Sequence, residues 1–190
     1  MDGFEFFFTL FGLLLGFSLI EVISGFGRAI ESKVLGVQVR GAARTHIGWL
    51  SPLLGLFVAF NLVSFWTAAW SLREVIPVQY LALLFGLVVT GGYYLAAILV
   101  FPPQIQRGAD LDNHYFQVKR WVLAIVILAN VLGASGVTII GHGALPGPTD
   151  ILLFALLIAL LFARGHLANL LLLIPIAAAY PLTSLIFLLL

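Results

Sequence analysis

Long apolar runs separated by short polar segments dominate this chain. A hydrocarbon layer about 30 Å thick is crossed by about 20 helical residues. Five runs reach that length: Phe4 to Gly27, Ile47 to Ser71, Pro77 to Phe101, Lys119 to Ile140 and Leu167 to Leu190. A sixth, Thr149 to Ala163, is shorter; Pro148 suits a first helical turn, Thr149 or Asp150 suits a cap, and the long stem of Arg164 lets its charge reach the interface. The pattern predicts an all-α polytopic membrane protein, a six-transmembrane-helix bundle with a short fifth helix, forming a single integral membrane domain over residues 1–190. A tilted or re-entrant fifth segment is the alternative, and it would move the C-terminus to the other side.

The distribution of positive charge orients this layout. Arg28, Lys33, Arg40 and Arg44 follow the first span, Arg107, Lys119 and Arg120 lie between the third and fourth, and Arg164 lies between the fifth and sixth; only Arg73 falls in an alternate loop. Lys and Arg collect on the cytoplasmic side of multi-pass proteins. The expectation is therefore a multi-pass protein of the inner (plasma) membrane with both termini outside. Trp49 and Trp121 then mark the cytoplasmic interface, and Trp66 and Trp70 the outer one.

Composition narrows the function classes. The chain is 62% hydrophobic and 9% charged, against roughly 25% charged in soluble domains, so lipid is its main solvent. A net charge of +1 gives no field that would recruit nucleic acid. Without cysteine there is no disulfide, thiolate metal site or cysteine nucleophile. The apolar start, Phe4 to Ile23, carries Asp2 before it and Glu5 at its second position instead of a basic segment, which favours a retained helix over a cleaved leader. No cofactor is indicated. The expected partners are the lipid bilayer and either further copies of the chain or other membrane subunits.

Few polar groups lie inside the spans. Glu21 is the single acidic residue well inside one, and such a carboxylate must be paired, protonated or wetted. On a helical wheel it shares a face with Ser18, Gly25 and Arg28, while Gly12 and Gly16 form a GxxxG on the opposite face, a pattern that lets a second helix approach. Further mid-depth groups are Asn61 with Ser64, Thr90 with Tyr93 and Tyr94, Asn130, and Tyr180 with Thr183 and Ser184. Glu21, Asn61, Thr90 and Asn130 form the expected polar core or permeation path. His46, His114, His142 and His166 all fall outside span centres, which leaves intramembrane haem or zinc ligation without support. The run Asp110-Leu111-Asp112-Asn113-His114 offers weak divalent-cation binding as one reading, but it lacks the spacing of a calcium loop and reads first as a solvated acidic patch.

The segment Gly133-Ala134-Ser135-Gly136 resembles the GxSG motif of the rhomboid intramembrane serine proteases, which also have a six-helix core. The resemblance covers four residues. It implies a serine nucleophile on the fourth helix with a histidine base on the sixth, yet His166 precedes the sixth span at the wrong end and His142 lies in a loop. Close packing through Ala129, Gly133 and Gly136, which share one face, is the preferred explanation of the segment. The first functional expectation is a small channel or transporter for protons or small ions. Its rival is a non-catalytic accessory or scaffold subunit of a larger membrane complex, and an intramembrane serine protease is the minor alternative.

Overall fold

The computed structural model describes residues 3–38, 46–71, 73–74, 79–105, 109–140 and 147–189. It is all-helical, with α1 (Gly3–Gln38), α2 (Leu50–Ser71), α3 (Tyr80–Val100), α4 (Leu111–Ile140), α5 (Pro148–Phe162) and α6 (His166–Leu189). Helices α1 to α4 are each long and apolar enough to cross a membrane. α5, with 15 residues, reaches about 22 Å, and the described apolar stretch of α6, His166–Leu182, is also shorter.

Two boundaries differ from the hydropathy reading. α1 runs on to Gln38 instead of stopping at Gly27, because Arg28, Glu31 and Lys33 alternate with apolar residues and good helix formers. α4 begins at Leu111, eight residues before Lys119. Its first turns are amphipathic, with Leu111 and Tyr115 buried and Asn113, Phe116 and Gln117 exposed. A window that seeks continuous apolarity misses such a turn. α6 stays helical through Pro175 and Pro181.

α2 is central and packs against α1, α3, α4 and α6, while α3 joins α1 to α4 and α5 bridges α4 and α6. Large rings seat over glycines at these crossings: Trp66 of α2 over Gly12, Phe11 of α1 over Gly86, and Phe101 over Gly25. A methyl group at any of the three would collide with a ring. Gly16 has nothing within 4 Å, so only the first glycine of the GxxxG pair makes the close approach expected of both. Gly133 faces Phe65 and Gly136 faces Phe85, so the small residues of the GASG segment accommodate neighbouring rings.

The starts of α2, α4 and α6 meet at one end of the bundle, here the near end. Asp112 joins them: Oδ1 accepts from the Leu50 N–H at 3.2 Å, and Oδ2 lies 3.0 Å from Nε2 of His166. A carboxylate at a helix start satisfies an orphan N–H and meets the positive end of the helix dipole. The segment before α2 pairs with the one before α4, through His46 N–H to Ala109 O and Leu111 N–H to His46 O, both 3.0 Å. Gly48, at φ +60°, allows this turn to pass directly over the Asp112 carboxylate.

Candidate functional site

Four neutral side chains from four helices form a layer at mid-depth. Tyr93 donates to Asn61 Oδ1 at 2.7 Å, Asn130 Nδ2 donates to the same oxygen at 3.3 Å, and Asn61 Nδ2 donates to the Tyr180 hydroxyl. Asn130 Nδ2 also reaches the carbonyl of Val126 at 2.9 Å, one helical turn back. Asn61 and Tyr93 are buried, whereas Asn130 and Tyr180 are half-buried. Every spoke of the layer is an uncharged hydrogen bond, the kind of polar group a low-dielectric interior holds without ionising it.

Toward the near end the layer rests on closely packed apolar residues, among them Phe57, Val58, Ala97, Val126 and Ile176. Toward the far end it floors a cavity of about 650 Å³. Phe7, Phe8 and Phe11 of α1, Phe65 and Trp66 of α2, and Phe85 of α3 give its wall an aromatic character. Asn61, Ser64, Asn130 and Tyr180 supply polar groups at depth, and Gln79, Ser135 and Asp150 lie nearer the end of the bundle. Asp150 is the one ionisable carboxylate among the lining residues, and it accepts a hydrogen bond from the Gly147 N–H at the start of α5.

Of the four residues expected to form a polar core, the structure brings Asn61 and Asn130 together. Thr90 is buried but turns back on its own helix, donating to Gly86 O at 2.7 Å. Glu21 pairs with Arg28 of the same helix, its Oε2 3.7 Å from Nη2, with both side chains about one-third exposed. Phe8 beside Trp66 and Trp70, with Phe26 beside Gly55, sets the register of α1 on α2 and puts Glu21 at about the depth of Asn61. The pair thus occupies the flank of α1 instead of the interior layer. Tyr93 and Tyr180, which the sequence offers only as members of polar stripes, complete the network. Thr183 and Ser184 lie outside the described side chains.

A second cluster joins α4 to the α5–α6 turn. Lys119 is buried, and its ammonium donates to Leu160 O at 3.2 Å, Ala163 O at 2.5 Å and Asn169 Oδ1 at 2.6 Å. Asn169 also accepts from the Tyr115 hydroxyl at 2.9 Å and donates to Gly165 O at 2.6 Å. The sequence reading places Lys119 among the loop charges, and the signal pointing to this cluster is the Asn169–Gly165 spacing at a helix start. Its chemistry is that of a helix C-terminal cap, in which a cation meets the exposed carbonyls of α5.

Ser135 Oγ donates to Val131 O at 2.7 Å, within its own helix. His166 stands beside Asp112 at the near end, about 35 Å along α4 from Ser135 at 1.5 Å per residue, and His142 lies outside the described residues. At the near end, desolvation is the largest single influence on the Asp110 carboxyl and pushes it up. Hydrogen bonds from His46 and from the Asp112 and Asn113 N–H groups outweigh that effect and hold its carboxyl below the ordinary value. No family model matches the chain, and no curated protein or solved structure compared with it does so.

Proposed function

We propose that this chain is a six-span membrane protein whose far-end cavity binds a neutral amphipathic small molecule, apolar body among the rings and hydrogen-bonding head on the Asn61 layer. The observation that carries the reading is the union, in one cavity of about 650 Å³, of an aromatic wall with an uncharged polar floor. Ligand sites commonly have this size and this ratio of apolar lining to a few oriented polar groups. The floor offers amide and hydroxyl groups to an alcohol, carbonyl or amide head, and it offers an ion no countercharge. Passage of protons or small ions, the first expectation from sequence, would need polar groups beyond the layer as well. Directly beneath the layer, Phe57, Val58, Ala97, Val126 and Ile176 are buried and apolar, and the buried charges nearer that end, Lys119 and Asp112, are engaged at helix ends, so binding is the reading supported furthest.

Trp66 in the cavity wall provides the test. In a variant retaining only this tryptophan, with exposed Trp49, Trp70 and Trp121 changed to Phe, a brominated long-chain alcohol should quench fluorescence saturably. Asn61→Ala should weaken that binding about tenfold, equivalent to about 1.4 kcal/mol, and Ala82→Phe should fill the cavity and remove the saturable component. Quenching that rises linearly and equally in all three proteins would sink the proposal. The part-exposed Glu21–Arg28 pair on α1 would then make a subunit contact the better reading.

A further inference from the structure

The near end of the bundle carries a second constellation, remote from the cavity and independent of its reading. His46 precedes α2, Asp110 and Asp112 stand at the start of α4, and His166 begins α6. These three segments are far apart in sequence, yet their donor atoms converge. Donor atoms of His46, Asp110 and Asp112 lie within 4.8 Å of one another, and Nε2 of His166 is 3.0 Å from Asp112 Oδ2. We propose that His46, Asp110, Asp112 and His166 form a binding site for a divalent transition metal of the zinc type, held by two imidazoles and two carboxylates.

The spacing supports this more than the charge does. With metal–nitrogen and metal–oxygen bonds of about 2.0–2.1 Å, neighbouring ligand atoms of a tetrahedron stand about 3.3 Å apart. The two imidazole–carboxylate separations, 3.3 Å for His46 Nδ1 to Asp110 Oδ1 and 3.0 Å for His166 Nε2 to Asp112 Oδ2, already match tetrahedral edges. The donor atoms of His46, Asp110 and Asp112 stand within 4.8 Å of one another, and the exposed His46 and His166 rings are free to turn toward a shared ion. A cluster of carboxylates alone would select a hard cation with six or more oxygen ligands, whereas two imidazoles shift the preference to zinc and its neighbours. The carboxylates are held from behind: Leu50 N–H bonds Asp112 Oδ1, and Asp112 N–H bonds Asp110 Oδ1 at 2.9 Å. Such outer hydrogen bonds fix ligand direction before the metal arrives. A metal here would tie the starts of three helices together, and its binding free energy would add to stability.

The experiment is a zinc titration of the full chain in detergent after chelator treatment, followed by calorimetry and thermal unfolding, with cobalt as a spectroscopic probe. One zinc per chain should bind at micromolar concentration or tighter and raise the melting temperature, and cobalt should give the intense visible bands of a tetrahedral site. His46→Ala and His166→Ala remove exposed rings while keeping both carboxylate caps, and each should weaken zinc binding at least tenfold. His114→Ala should bind zinc as the parent does, since that ring faces the Leu99 carbonyl at 3.1 Å. Parent binding in the millimolar range, cobalt spectra of a six-coordinate aquo ion, or equal losses in all three variants would each overturn the proposal.

Discussion

The two buried polar clusters, one around Lys119 near the α5–α6 turn and one around Asn61 at mid-depth, solve the same problem by different means. The first contains an ammonium ion and uses it. All three of its hydrogen-bond acceptors are oxygens, two of them carbonyls at the C-terminal end of α5, where the helix dipole is negative. The second contains amides and phenols, whose hydrogen bonds close on one another. A formal charge is thus buried where helix ends expose uncompensated backbone groups, and mid-depth is left to neutral groups whose burial costs less. Glu21 and Arg28 fit the same rule from the other side: carboxylate and guanidinium are paired, part-exposed, on the flank of α1 and stay out of the neutral layer.

The comparison can be broken most severely at Lys119. Lys119→Met keeps the volume but leaves Leu160 O, Ala163 O and Asn169 facing a thioether. Loss of three charge-assisted hydrogen bonds in a buried setting should cost about 3 kcal/mol in denaturant titrations of the bicelle-reconstituted protein. A loss below about 1 kcal/mol would mean that α5 is anchored by its apolar contacts instead.

A smaller effect is expected in the neutral layer. Asn61→Leu removes three hydrogen bonds worth about 0.6 kcal/mol each between membrane helices, so the same titration should register a loss of about 1–2 kcal/mol. Equal losses at Lys119 and Asn61 would erase the distinction between the clusters.

The smallest effect is pH dependence, and it should appear at one end alone. The folded-state pKa of Asp110 is depressed, so its contribution to stability is present above the unfolded-state value and is lost as pH falls through the folded-state value. Hydrogen exchange should therefore quicken at the first turns of α2 and α4 as pH drops from about 6 to about 3, after correction for intrinsic exchange. The Asn61 layer, which has no group titrating in that range, should keep its protection. The change will be modest, because Asp110 is partly exposed and solvent screens it. Uniform loosening of both regions would show that the acid effect is global.

Hydropathy alone located all six helices, because a bilayer requires every backbone group within it to be bonded and leaves the helix as the simplest answer. It also selected Asn61 and Asn130, since a buried amide stands out in a run of leucine and valine. It did not resolve where amphipathic turns extend a helix, as at α1 beyond Gly27 and α4 before Lys119, because charged residues there lower the mean while one face remains buried. Nor did it reveal which polar groups meet. Glu21, Thr90, Asn61 and Asn130 look alike as mid-span polar residues, yet Thr90 bonds its own helix, Glu21 bonds Arg28, and the two asparagines bond each other. Helical direction is set locally by each residue's position on the wheel, whereas partnership depends on the rotation and register of neighbouring helices. Those follow from ring-on-glycine contacts such as Trp66 on Gly12 and Phe11 on Gly86, and from Asp112 gathering three helix starts. Such contacts join residues tens of positions apart, and only tertiary packing decides them.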